Sequence, residues 1–221
     1  MAADDIRIFF HEFGHVMNLL LSARPYVSTG GFPEEVDFLE VPSLMLEEFT
    51  QQPALLRRLS GHVQTGAPIP DDLLKRMYDA GVFSRPIVVG QMTAQAAVSL
   101  EMHDRPADKV DPDGLARRAF ASDMAVDLDP ERHFPASFLF FGTREYSSNY
   151  YTFLWSQVIV KDLWSAFDPA NPLEPQTARR YVDAILRPGR SRPAAESVRE
   201  FLGRPFNLAS WQRWLEGDER R

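Results

Sequence analysis

Between residues 4 and 22 the apolar side chains Ile6, Phe9, Phe10, Phe13, Val16, Met17, Leu20 and Leu21 return at steps of three and four. That is the spacing of one buried helix face, and Pro25 closes the run. A Gly- and Pro-bearing loop, STGGFPEE, follows, and the spacing then predicts a helix over 37–56 with Pro42 near its start. In IPDDLLKRMYDAG, Pro70 and two first-turn aspartates open a helix and Gly81 marks its end. A further helix is predicted over 84–103, where GQMTAQAAVSLEMH is rich in helix formers. The polar, proline-broken DRPADKVDPDG reads as a loop, with later helices over 115–126, 148–167, 176–187 and 194–202. No fixed-period repeat and no alternating strand pattern is present. The expected fold is mainly α.

Composition narrows the setting. A chain of 221 residues, 44% of them hydrophobic, supports one sizeable core, so a single domain over 1–221 is expected. With 31 acidic against 24 basic residues, a net charge of −7 and no basic run, nucleic acid is not an expected partner. The absence of cysteine removes disulfides, thiolate metal sites and cysteine nucleophiles, and fits a cytoplasmic protein. The opening MAADDIRIFF is acidic where a secretory leader is basic. No apolar run reaches the roughly 18 residues of a membrane span, so no membrane partner is expected.

The chemistry concentrates in FFHEFGHVMN, residues 9–18. His11 and His15 are four apart on a predicted helix, so both imidazoles share one face and can reach one cation. Glu12 lies beside them, a carboxylate able to take a proton from water, and Gly14 removes a side chain next to the site. A metal centre of this kind needs a third ligand. DFLEVPSLMLEEF offers Asp37, Glu40, Glu47 and Glu48, and Glu40, 25 residues after His15, is the expected one. Asp37, one turn earlier, and Glu47, two turns later, are placed to hold a ligand histidine through its second ring nitrogen. Glu48 reads as a surface carboxylate. The implied cofactor is one zinc ion per chain.

FHEFGHVMN followed by DFLEVPSLMLEEF resembles the thimet oligopeptidase, or M3, family of zinc metallopeptidases. TGAPIPDDLLKRM, PASF, YSSNYYTFLWSQV and AILRPGRSRPAAESVREFLGRP resemble successive family segments in the same order. The resemblance implies zinc ligands at His11, His15 and Glu40, Glu12 as general base, and a helical zincin-like catalytic domain whose channel admits short peptides. It also implies several hundred residues before the zinc helix, whereas this sequence begins ten residues before His11. The expectation is therefore a catalytic portion without the family's N-terminal lobe, prone to self-association or to pairing with a chain that covers the missing lobe.

One stretch departs from the family. In FLFFGTREYSSNYYTFLW the family's substrate-binding histidine falls on Phe140 or Phe141, Arg144 and Glu145 stand where the family has a glycine pair, and the second active-site tyrosine becomes Phe153. Tyr146 matches the first active-site tyrosine and is the evident hydrogen-bond donor for an oxyanion. With Tyr150, the phenyl rings of Phe140, Phe141 and Phe153 suit an apolar substrate pocket. His133 and Arg144 read as surface residues, and His62 and His103 as structural ones. Three functions follow: a zinc peptidase of short peptides, a repurposed zinc enzyme acting on a non-peptide small molecule of a biosynthetic pathway, or a non-catalytic partner. The first is the main expectation.

Overall fold

The computed structural model describes residues 3–22, 24–33 and 35–218. Ten α-helices carry these residues: α1 (Ala3–Leu21), α2 (Val41–Phe49), α3 (Pro53–Leu59), α4 (Asp71–Glu101), α5 (Pro112–Met124), α6 (Phe134–Ser137), α7 (Thr152–Trp164), α8 (Pro175–Tyr181), α9 (Ala194–Leu202) and α10 (Ala209–Glu216). Short 3-10 turns and one π-helical turn, Val182–Leu186, join them, and the described residues contain no strand. The fold is mainly α, as the apolar spacing predicts. None of the described helices is long and apolar enough to cross a membrane.

Internal contacts divide the chain into two compact units, one of residues 1–83 and 156–221, the other of 84–155. The larger unit is built on Val41 and Met45 of α2, Val160 and Leu163 of α7, and Val198 and Phe201 of α9, all excluded from solvent. Phe167 links them through edge contacts with Phe49 and Tyr181 at ring separations of 5.9 and 6.4 Å. The smaller unit gathers Val98 of α4, Ala116 of α5 and Phe141, with Phe134 and Phe138 packed against them.

The observed elements differ from the predicted ones in three ways. The helix expected over 37–56 is a 3-10 turn, Val36–Phe38, then α2, then α3. Pro53 forces the break, because the residue before a proline avoids helical geometry, and Gln52 is extended (φ −83°, ψ 120°). The helices expected over 70–81 and 84–103 are one, α4, which runs through Gly81 and Pro86. Gly81 does not take the left-handed conformation that ends α5, α9 and α10, so it does not cap. The third difference concerns α1. Its buried residues are Gly14 and Asn18, whereas the apolar stripe Phe9, Phe13, Val16 and Leu20 faces outward, with Phe9 62% and Leu20 66% exposed. The inward face is instead the polar one, His11, Gly14 and Asn18, spaced by three and four, with Arg7 one turn before it at the solvent edge.

Gly14 explains how close that face comes to α2. A Cβ at Gly14 would lie 2.6 Å from both the carbonyl oxygen of Pro42 and the Cα of Ser43. Only a hydrogen fits there, so main chain meets main chain.

Candidate metal centre

α1 and the turn before α2 bring together the three residues that the sequence singles out as ligands. Glu40 sits at the N-terminal boundary of α2 rather than inside it, so its side chain turns back toward α1. Its Oε2 lies 3.3 Å from His11 Nε2 and 3.3 Å from His15 Nε2. The imidazole planes stand nearly perpendicular, at 84°, with centroids 5.0 Å apart. Ligand atoms of His11, His15 and Glu40 all fall within 4.8 Å of one another, the one group of this kind among the described residues.

The donor set fits a zinc ion. Tetrahedral coordination at about 2.0–2.1 Å sets neighbouring ligand atoms about 3.3–3.4 Å apart. Both imidazole-to-carboxylate separations have that value. Two nitrogens and one oxygen from a helix pair leave a further coordination position for water or substrate.

Side chains around the ligands fix their orientation. Glu40, only 2% exposed, accepts a hydrogen bond from Ser43 Oγ at 2.8 Å. His11 Nδ1 lies 2.7 Å from Glu47 Oε1, so Nδ1 donates to the carboxylate and Nε2 is turned to the cluster. Burial opposes a charge on His11, but hydrogen bonds to Glu40 and Glu47 outweigh it and push its pKa up to about 9. The negative charge that holds a proton there suits a metal cation as well. The edge of Phe32 packs on His15 at 5.7 Å. Phe32 is held by its carbonyl, which accepts from Arg190 Nε at 2.7 Å, and the same loop is pinned where Gly31 N donates to Ser22 Oγ at 3.0 Å.

Of the two candidates for orienting a ligand histidine, Glu47 reaches one and Asp37 does not. Asp37 contributes its backbone carbonyl, which accepts from Ser156 Oγ at 2.9 Å. Glu48 is a correction: it is buried and paired with Lys161 at 2.8 Å, not a surface carboxylate. Glu12 is exposed on α1, next to His11, with no side-chain partner among the described residues. Ser43 and Arg7 also meet the cluster, through Glu40 and Glu47 respectively. Ser43 stands three residues after Glu40, and Arg7 four before His11, so helical spacing was the signal for both. Arg7 Nη1 donates to Glu47 Oε2 at 3.1 Å.

Tyr146, Phe140, Phe141, Tyr150 and Phe153 belong to the smaller unit. Their rings close on one another: Phe140 lies 5.4 Å from Tyr146, Tyr150 and Phe153, and Tyr146 stacks on Phe153 at 5.1 Å. Phe141 is buried against Phe138 at 4.8 Å. Burial pushes the Tyr150 phenol up. The backbone carbonyls of Tyr146 and Ser147 accept from Ser99 Oγ, which fixes this turn to α4. His133 is exposed and paired with Asp113 at 2.6 Å, His103 Nδ1, in the turn after α4, lies 2.8 Å from the carbonyl of Ser99 in that helix, and His62 Nδ1 accepts from Gln64 and Thr65 N–H groups.

The family model described as "Peptidase family M3" matches residues 1–216. The chain is similar to dipeptidyl carboxypeptidase of Escherichia coli (strain K12), 28% identical over 204 residues that cover 91% of this chain and 30% of that protein. It is similar to oligopeptidase A of Salmonella typhimurium, 27% identical over 211 residues, 93% of this chain and 31% of the relative. A thimet-like oligopeptidase of Dictyostelium discoideum is 28% identical over 211 residues, again 31% of its length. The chain thus spans about three-tenths of the length of these curated relatives. A match from the first residue to residue 216, over the helix pair that carries the His-His-Glu cluster, places the chain in peptidase family M3.

Proposed function

We propose that this chain carries the metal-dependent hydrolytic centre of a peptidase acting on short peptides. The observation that carries the reading is the convergence of His11 Nε2, His15 Nε2 and Glu40 Oε2 at separations that suit zinc, with the exposed Glu12 next to His11 in the chain. His11, His15 and Glu40 would hold the ion. When bound, it supplies Lewis-acid polarisation and brings the pKa of water down toward about 7. Glu12 would take a proton from the attacking water as the water oxygen bonds to the peptide carbonyl carbon and the carbonyl π pair moves onto its own oxygen. The carbon–nitrogen bond then breaks, and Glu12 returns the proton to the leaving amine. Glu47 keeps His11 Nε2 directed inward throughout. The assignment of Tyr146 as hydrogen-bond donor to the oxyanion rests on its match to the family motif.

A quenched fluorescent peptide of about five to fifteen residues, sized to the short-peptide channel that the family resemblance implies, tests the reading with wild type and Glu12→Gln. Zinc-dependent cleavage that falls by about 10²–10⁴ in the variant, with zinc content retained, supports it. A second reading draws on the closed ring cluster around Phe140, where phenyl groups stand at positions matching polar family residues: the same centre acts on a non-peptide small molecule. A wild-type protein that holds zinc but cleaves no peptide favours that alternative.

A further inference from the structure

Arg7 has no role in the metal-centre chemistry described so far, yet it stands on the ligand face of α1, one turn before His11. Its Nη1 donates to Glu47 Oε2 at 3.1 Å while the other oxygen of that carboxylate, Oε1, is 2.7 Å from His11 Nδ1. The result is an unbroken line of contacts: Arg7, Glu47, His11. We infer that Arg7 is a positioning residue for the metal centre, acting on His11 through Glu47. The inference rests on the proposed metal reading and extends it outward by two side chains.

Geometry supplies the reason. The last torsion of a glutamate is broad, so one hydrogen bond to His11 leaves the carboxylate plane free to turn. A second anchor on the opposite oxygen fixes that plane, and with it the direction of the imidazole. Charge adds to this. Glu47 and Glu40 are two buried carboxylates on opposite nitrogens of the His11 imidazole, and Arg7 brings a permanent positive charge to Glu47. Asp4 steadies the guanidinium from its solvent side, 3.6 Å from Nε. The contact with Glu47 uses one nitrogen of the guanidinium, so it needs a cation of the right reach rather than a fork.

The test is zinc affinity by chelator competition, together with the visible spectrum of the cobalt-substituted protein. It uses wild type, Arg7→Ala, Arg7→Gln, Arg7→Lys, Glu47→Gln and the Arg7→Ala/Glu47→Gln double variant. Arg7→Ala and Arg7→Gln are expected to weaken zinc binding roughly 3–10-fold, a smaller loss than the 10–100-fold expected for Glu47→Gln. Arg7→Lys should recover most of the affinity. Because Arg7 is half-exposed, the penalty should shrink as salt rises from about 0.05 to 0.5 M. In the Glu47→Gln background the Arg7→Ala penalty should vanish, and the cobalt spectrum should change in the Ala and Gln variants but not in Lys. Wild-type zinc affinity in both Arg7→Ala and Arg7→Gln overturns the inference, as does an equal penalty with and without Glu47. A wild-type protein that binds no zinc overturns the metal reading along with it.

Discussion

A single step along α2 separates two carboxylates with unlike surroundings. Glu47 turns to His11 and Arg7, whereas Glu48, about 100° further round the helix, pairs with Lys161 in the core while the lysine ammonium sits 4.7 Å from the Trp214 ring. Substitutions at Glu48 and at Glu40 should therefore separate stability from metal binding. Glu48→Gln strands a buried lysine and is expected to cost about 3 kcal/mol in denaturant unfolding with zinc affinity within about 2-fold of wild type. Glu40→Gln should do the reverse, losing more than about 100-fold in zinc affinity by equilibrium dialysis. The meeting of His11, His15 and Glu40 was legible in sequence because helical spacing and the Glu-bearing second segment point to it. Glu48 was not, since a carboxylate reads as solvated until its cation is found, and Lys161 lies 113 residues away. Arg7 was hidden for the same reason: its meaning depends on Glu47, 40 residues on.

At the scale of elements, the helix pair α1 and α2 is assembled the wrong way round for a simple amphipathic reading. An apolar stripe on α1 reads as core, yet the polar face is the buried one, because small Gly14 and the paired imidazoles let the backbones approach. Most other helices were readable from periodicity and proline placement. The joins were not: Gly81 and Pro86 look like stops, yet α4 runs through both, a local choice overridden by good helix formers on either side. Gly14→Ala tests the close approach. A methyl group driven into the Pro42 carbonyl must push α1 off α2, and it is expected to cost about 3 kcal/mol and to weaken zinc binding by more than about 10-fold, read by thermal unfolding and dialysis.

For the molecule as a whole, a carboxylate away from the candidate metal centre ties stability to pH. Asp162 on α7 has no exposed surface and receives Arg204, the Asn207 N–H and Ser210. Burial opposes its ionisation, but the hydrogen bonds from Arg204 and Asn207 outweigh it and hold its carboxyl below the usual value of 3.8. A carboxyl depressed in the folded state adds stability that is complete above the unfolded value and is lost as pH falls through the folded one. Unfolding free energy measured against pH should thus fall below about pH 4, and Asp162→Asn should flatten that fall while lowering stability near neutrality. The larger unit holds this carboxylate and the helix pair alike. Main chain pressed on main chain at Gly14 leaves no side chain to act as a shim between the two histidines and Glu40. A grip on an ion there would accordingly have no half-open setting: on heating the zinc-loaded protein, ion release and collapse of the larger unit should arrive as one event, with a single midpoint in both signals.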